Sequence, residues 1–302
     1  MSAQPDSLKS IFYALAANFS IAVAKFIAAG VTNSGSMMAE AIHSLADTTN
    51  QILLLIGLKR AKRPPSADFP LGYGKEIYFW SFIVAILLFS VGGLFSIYEG
   101  LHKLDSPEPL NSPLIAVAVL VFAIVAEGLS LAFCIRQINK IRGDKNLWRW
   151  FRESRRSELV VVFGEDVAAL AGLMMALVAI LLTMATGDPS YDAFGSLAIG
   201  GLLILVAILI GVEIKALLIG QGVEPEIRAE MLSHIERHPA VKRVFNMLTY
   251  QLGADVMVAV KAEMAQVESA TALIENINLC ERSFKEAFPQ VVWLFFEPDH
   301  SD

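Results

Sequence analysis

Three long stretches of the chain carry no charged side chain, and they constrain its fold more than any other feature. They cover residues 77–98, 113–126 and 193–212. A helix needs about 20 mostly apolar residues to cross the hydrocarbon core of a bilayer, whereas soluble domains intersperse charge among their apolar residues. The hydrophobic content of 55% agrees with this. The sequence therefore predicts an α-helical membrane protein with several spans.

The apolar pattern predicts six transmembrane helices. They lie near residues 9–29, 35–58, 77–100, 112–136, 158–185 and 192–218. The connections on one side, within 59–75 and 136–156, hold thirteen Lys and Arg residues, and those on the other side hold only Lys103. Because loops rich in Lys and Arg stay in the cytoplasm, we expect both termini to be cytoplasmic. A multi-pass position in a bacterial inner membrane is the expected location.

Beyond residue 220 the composition becomes that of a soluble domain, so we expect a membrane domain at 1–220 and a cytoplasmic domain at 221–302. The pattern predicts the order helix, strand, strand, helix, strand, with Gly253 at the turn between the first two strands. This order suits a ferredoxin-like α+β domain (αββαβ), with two helices on one face of a three-stranded antiparallel or mixed sheet. A dimerisation or regulatory role is expected for it.

The second predicted span is polar along one face. Glu40, His43, Asp47 and Asn50 recur at spacings of three or four, which places them on nearly one side of a helix. Ionisable groups inside a bilayer are costly unless they face a partner or a cavity. An imidazole and a carboxylate at i and i+4 can converge on one cation, and that pair suits zinc better than magnesium or calcium.

Zinc takes four ligands, so two side chains of one span make an incomplete site. The fifth span offers the adjacent carboxylates Glu165 and Asp166. Neighbours on a helix point about 100° apart, so we expect one of them to face the span-two pair. The other is expected to face water, a proton path or a neighbouring helix. The alternative for His43 and Asp47 is a static polar clamp between helices.

Other intramembrane polar residues have simpler interpretations. Lys25 is expected near the external end of span one, where its side chain can snorkel to the interface. Asn18 and Asn50 are expected to donate interhelical hydrogen bonds. Glu127 and Glu213 remain open between a salt bridge and a proton pathway.

Several motifs together resemble the cation diffusion facilitators, a family of proton-coupled exporters of zinc and other divalent metals. They are NSGSMMAEAIHSLADTTNQ with its HxxxD, then FPLGYGKEIYFWSF, SIYEGLHKL, EDVAALAG and YDAFGSLAIG. The form of the span-five motif is closest to the zinc-transporter-nine-like branch. The resemblance covers nearly the whole chain. It implies a homodimer that exposes its metal site alternately to the two sides of the membrane.

The resemblance also implies a ligand set. The family's four ligands fall on His43, Asp47, Val162 and Asp166, and valine cannot bind a metal. Glu165 or water would have to fill the fourth position, while Glu40 and Asn50 would support the ligands. The histidines of the family's loop before span three are replaced by Phe69 and Tyr73. We expect no binuclear zinc site in the cytoplasmic domain, so its dimer would depend on apolar packing.

The predicted function is efflux of a divalent metal, with zinc first and manganese, iron, cobalt, nickel and cadmium behind it. The metal is expected as a transported substrate exchanged for protons, with no prosthetic group and no nucleic-acid partner; the lipid bilayer and a second copy of the chain are the other partners. One alternative is a regulatory or scaffold homologue that has lost transport. The other, an intramembrane metalloenzyme, is disfavoured because the chain has no HExxH motif.

Overall fold

The computed structural model describes residues 5–106 and 109–301, with side chains described from Asn18 onward. The chain divides into two compact units. The first unit comprises the chain as far as Ile56, together with Trp80–Leu147 and Glu158–Glu213. The second comprises Gly57–Phe79, Trp148–Ser157 and the chain from Ile214 onward. The predicted boundary between residues 220 and 221 stays a prediction, since the second unit also takes in two segments from between the long helices.

Long helices make up most of the chain before residue 220. They are α1 (Pro5–Thr32), α2 (Gly35–Ala61), α3 (Glu76–Leu87), α4 (Phe95–Asp105), α5 (Pro113–Asn139), α7 (Ser157–Thr186) and α8 (Ser190–Ile219). A π-helical turn, Leu88–Leu94, joins α3 to α4 as one continuous helix. The short helix α6 (Leu147–Glu153) lies within a segment expected to be a loop.

Four of these helices are long and apolar enough to cross a membrane. They are Glu76–Asp105, Pro113–Asn139, Ser157–Thr186 and Ser190–Ile219. In α1 the apolar stretch of described residues, Asn18–Thr32, is shorter, and α2 falls short because of its polar residues. The chain is thus a multi-pass helical membrane protein, and spans one and two of the predicted six stay predictions.

Small residues bring α8 close to the helix formed by α3 and α4. A Cβ atom at Gly200 would lie 2.8 Å from the Gly93 carbonyl oxygen, and one at Gly100 would lie 2.7 Å from Leu197 Cγ. Real Cβ atoms do not approach other heavy atoms so closely. Glycine at these positions therefore permits the backbone contact, as is common where membrane helices pack.

The start of α2 is held by a carboxylate from the start of α8. Asp192 is buried and accepts hydrogen bonds from the Gly35 amide (2.5 Å), the Ser34 hydroxyl (2.7 Å) and the Ser36 hydroxyl. The first amides of a helix have no partner within the helix, and the helix dipole favours an anion there. Asp192 thereby fixes the position of the helix that carries the polar face.

The C-terminal part of the second unit has the predicted order. It consists of α9 (Pro225–Glu236), β1 (Val241–Leu252), β2 (Asp255–Met264), α10 (Ala270–Ala287) and β3 (Val291–Pro298). The sheet is mixed, because β2 pairs antiparallel with β1 and parallel with β3. Gly253 takes a positive φ of 71° at the β1–β2 turn, as expected for a glycine in that position. Met231, Val258 and Phe284 belong to the core between the sheet and its two helices.

Candidate metal site in the membrane helices

The polar face of α2 lies inside the protein. Glu40, His43 and Asn50 are completely buried, and the Asp47 side chain is 17% exposed. His43 Nε2 lies 3.5 Å from Asp47 Oδ2, one turn along the helix. The predicted pair is therefore adjacent, and its nitrogen and oxygen atoms are close enough to approach one cation.

Several polar atoms on this face have no hydrogen-bond partner among the described residues. They are His43 Nδ1, His43 Nε2, Asp47 Oδ1, Asn50 Oδ1 and Glu40 Oε1. More than nine in ten buried polar groups in proteins do have a partner, and each unpaired one costs free energy. This concentration on one helix face is typical of side chains that bind a ligand.

Glu165 contacts this face from α7. The Asn50 side-chain amide donates a hydrogen bond of 2.5 Å to Glu165 Oε1, and Glu165 is only 6% exposed. Asn50 thus makes the interhelical hydrogen bond that the sequence predicts. Glu165 therefore contacts span two at Asn50, and the expectation that one of the two adjacent carboxylates faces the His43 and Asp47 pair stays a prediction.

Asp166 faces a different helix. Its two carboxylate oxygens each lie 3.5 Å from the Ser130 hydroxyl of α5. The divergence of Glu165 and Asp166 follows from the 100° step between helix neighbours. Within the part of the chain that is described, no three His, Cys, Asp or Glu side chains form a group ready to hold a metal ion. The ligand set His43, Asp47, Glu165 and Asp166 therefore stays a prediction.

A small cavity connects the carboxylates of α2 and α7. Its volume is about 30 Å³, room for a water-sized or ion-sized species. The lining residues come from α1, α2, α5 and α7 and are Asn18, Ile21, Ser44, Asp47, Gln51, Glu127, Ser130, Val162, Glu165, Asp166 and Ala169. Val162, where the resemblance places a ligand, does face this cavity.

Glu127 borders the candidate site, a position that the sequence did not predict. It lines the same cavity as Asp47 and Asp166, although it lies on α5, outside the two spans predicted to supply ligands. The signal in the sequence is its place as the first charged residue after the apolar run 113–126. That run alone does not indicate which way the side chain points.

The expected role of Lys25 is wrong. Lys25 is completely buried, and its ammonium donates hydrogen bonds to Glu40 Oε2 (3.2 Å) and Ser44 Oγ (2.5 Å). It lies seven residues before the last residue of α1, which is about 10 Å along a helix. That is further than the side chain reaches, so the ammonium pairs with a carboxylate inside the protein and does not snorkel.

His43 also adjoins the π-helical turn. A Cβ atom at Gly92 would lie 3.9 Å from His43 Nδ1, so this glycine borders the imidazole ring. Single π-helical turns inside α-helices are frequently found at functional sites. The π-helical turn beside His43 therefore agrees with a functional site at this position.

The remaining histidine and loop positions have structural partners. Phe69 and Tyr73 contact each other with tilted rings, whose centroids lie 4.6 Å apart. His234 packs edge-on against Phe284 and Phe288 and is hydrogen-bonded to Ser283 at 3.1 Å. Burial, followed by the nearby charges of Arg237 and His238, lowers the pKa of His234. The absence of a binuclear zinc site from this domain stays a prediction.

Comparisons with known proteins find a matching family profile and several similar sequences. The profile of the cation efflux transmembrane domain matches residues 11–219. The chain is 37% identical over 243 residues to the mitochondrial proton-coupled zinc antiporter SLC30A9 of Xenopus laevis, covering 80% of this chain and 43% of that protein. For human SLC30A9 the identity is 35% over 232 residues, covering 76% of this chain and 41% of that protein.

A plant protein is similar as well. Metal tolerance protein C4 of Arabidopsis thaliana is 31% identical over 251 residues, covering 82% of this chain and 54% of that protein. The chain spans about half the length of these curated relatives, or less. The family consists of transporters, not enzymes. With the profile matching more than half of its residues, the chain belongs to the cation efflux family, the cation diffusion facilitators.

Proposed function

We propose that this protein exports a divalent metal ion, with zinc as the preferred substrate, in exchange for protons. The observation that carries the proposal is the buried His43 and Asp47 pair, whose nitrogen and oxygen atoms approach within 3.5 Å while neither ring nitrogen has a hydrogen-bond partner among the described residues. Mixed nitrogen and oxygen ligands favour zinc and other first-row divalent ions. The SLC30A9 relatives are named proton-coupled zinc antiporters, which supports the same substrate.

The transport cycle follows from competition for the same atoms. A metal ion that enters from the cytoplasm binds His43 and Asp47, and Glu165 or Asp166 completes the site from α7. Metal ligands must be deprotonated, so proton binding and metal binding exclude one another. In a homodimer that alternates between inward-facing and outward-facing states, protons from the other side then displace the metal. We place this dimer in the bacterial inner membrane with both termini in the cytoplasm.

Uptake of metal into proteoliposomes tests the proposal. Purified protein is reconstituted, and zinc, cobalt, iron, manganese, nickel and cadmium are offered in parallel under an inwardly acidic pH gradient. We expect the fastest uptake for zinc and at least a tenfold loss in His43→Ala. Thr49→Ala is the matched control, because Thr49 is exposed on the same helix and its hydroxyl donates a hydrogen bond to the Leu45 carbonyl of that helix. Uptake of no metal by the folded wild-type protein would contradict the proposal.

That contrary result would favour the second candidate function, a regulatory homologue without transport. The observation in its favour is Val162, which occupies a ligand position of the family and borders the cavity. The two functions differ in the effect of Val162→His. In a transporter with a three-ligand site the variant changes the order of preferred metals, whereas in a regulatory homologue uptake stays absent.

A further inference from the structure

A buried ion pair lies beside the candidate metal site without belonging to it. Lys25 of α1 and Glu40 of α2 are both completely inaccessible to solvent, with 3.2 Å between Nζ and Oε2. The ammonium also donates a hydrogen bond of 2.5 Å to the Ser44 hydroxyl. Burying one charge of each sign costs several kcal/mol per ion before their attraction is counted. Because of this desolvation cost, a buried ion pair is a poor way to stabilise the contact between two helices.

The pair is one helical turn from the proposed ligands. Glu40 precedes His43 by three residues, and Ser44 precedes Asp47 by three, so both lie on the face that carries the ligands. Ser44 lines the same cavity as Asp47. The Lys25 ammonium is therefore held near the position where a metal cation would arrive.

Lys25 contacts only one of the two carboxylate oxygens of Glu40, Oε2. The Glu40 Oε1 atom has no hydrogen-bond partner among the described residues, and it lies against Gly172 of α7, where a Cβ atom would collide with it. The carboxylate thus offsets the ammonium while keeping one oxygen unpaired. In an environment of low dielectric constant, each of these two charges acts strongly on a third charge nearby.

We propose that Lys25 limits how tightly the site holds its cation. The fixed ammonium repels a divalent ion bound at His43 and Asp47, and Glu40 offsets this repulsion, so the ion is bound and still released. This inference depends on the proposed metal transport. If the ion pair only held α1 against α2, a different result would follow. Removing the charge of Lys25 or that of Glu40 would then change the zinc affinity in the same direction.

The test measures the zinc dissociation constant of the full-length protein in detergent, by competition with a fluorescent chelator at pH 8. Glu40→Gln leaves the ammonium without its offset, and we expect zinc to bind at least about tenfold more weakly. Lys25→Met leaves the carboxylate alone, and we expect about tenfold tighter binding with slower turnover in liposomes. Lys25→Arg keeps the charge and should stay within about threefold of the wild type.

The double variant Lys25→Met/Glu40→Gln removes both charges, so it avoids leaving one buried charge unpaired, and its zinc affinity should return to within about threefold of the wild type. Gel filtration and the Tm of each variant report whether it is folded. Equal affinity in all variants would overturn the inference, and so would weakening in both single variants. Failure of the wild type to bind zinc would overturn the proposed function itself, which distinguishes the two.

Discussion

Asn50 on α2 donates a 2.5 Å hydrogen bond to Glu165 on α7, within one turn of Asp47. This contact joins the two helices that the sequence predicts to share a metal site. It also orients one Glu165 oxygen, and Asn50 Oδ1 has no hydrogen-bond partner within the described part of the chain. The arrangement makes Glu165, which the family's ligand pattern does not include, the α7 carboxylate in direct contact with the polar face of α2.

The role of Glu165 is tested by Glu165→Ala. If Glu165 replaces the ligand missing at Val162, zinc affinity should fall by more than about tenfold, and if it only orients Asn50, the loss should be smaller. Calorimetric titration of the purified protein with zinc measures the difference. Glu158→Ala, an acidic residue in the first turn of the same helix, is the control. Unchanged affinity in Glu165→Ala would eliminate Glu165 as a ligand.

Gly172 is expected to be required for the position of Glu40. A methyl group there would collide with Glu40 Oε1, so Gly172→Ala should displace the carboxylate and reduce zinc transport severalfold. Gly128→Ala on α5 is the matched control, because a Cβ atom at Gly128 would meet no atom of the described residues within 4 Å. The comparison is made by initial uptake rate in proteoliposomes. Equal uptake rates in the two variants would show that the contact between Gly172 and Glu40 does not affect transport.

Asp192 is expected to stabilise the fold by capping α2. In Asp192→Asn the charge at the helix N-terminus is lost, and at least one of the four donors loses its acceptor. We expect destabilisation of about 2 kcal/mol, seen as a lower Tm in detergent. Asp105→Asn, at the exposed end of α4, should leave the Tm unchanged. A Tm for Asp192→Asn equal to that of the wild type would contradict this role.

Periodicity was enough to predict the features that lie within one helix. The shared face of His43 and Asp47, and the divergence of Glu165 from Asp166, both follow from the 100° step between residues. The order of helices and strands in the C-terminal part followed from its apolar spacing, with Gly253 at the turn. These predictions need no knowledge of how one helix packs on another.

Contacts between helices were harder to predict, because they depend on how each helix is rotated about its own axis. Lys25 pairs with Glu40 fifteen residues away, and Asp192 caps a helix more than 150 residues earlier. Distance along the sequence carries no information about either contact. The charge of Lys25 suggested a position at the membrane–water interface. Only the packing of α1 against α2 shows that the ammonium is buried inside the protein.

The second unit should lose stability in acid through His234. Because burial lowers the pKa of this imidazole, the unfolded chain binds a proton more readily than the folded chain does. Stability is therefore full above the unfolded pKa of about 6.5 and falls as the pH drops through and below it. His234→Gln should reduce the difference in Tm between pH 7.5 and pH 5.5. The exposed His300→Gln should not, and an equal effect from both would contradict the assignment.

The most direct test of the central claim follows zinc and protons together across one membrane. Proteoliposomes with an acidic lumen carry a zinc indicator and a pH indicator, and zinc is added outside. We predict that the wild type and Thr49→Ala take up zinc while the lumen becomes more alkaline, and that Asp47→Asn shows neither signal. Zinc–proton exchange by Asp47→Asn at the wild-type rate would contradict the assignment of the transport site to the polar face of α2.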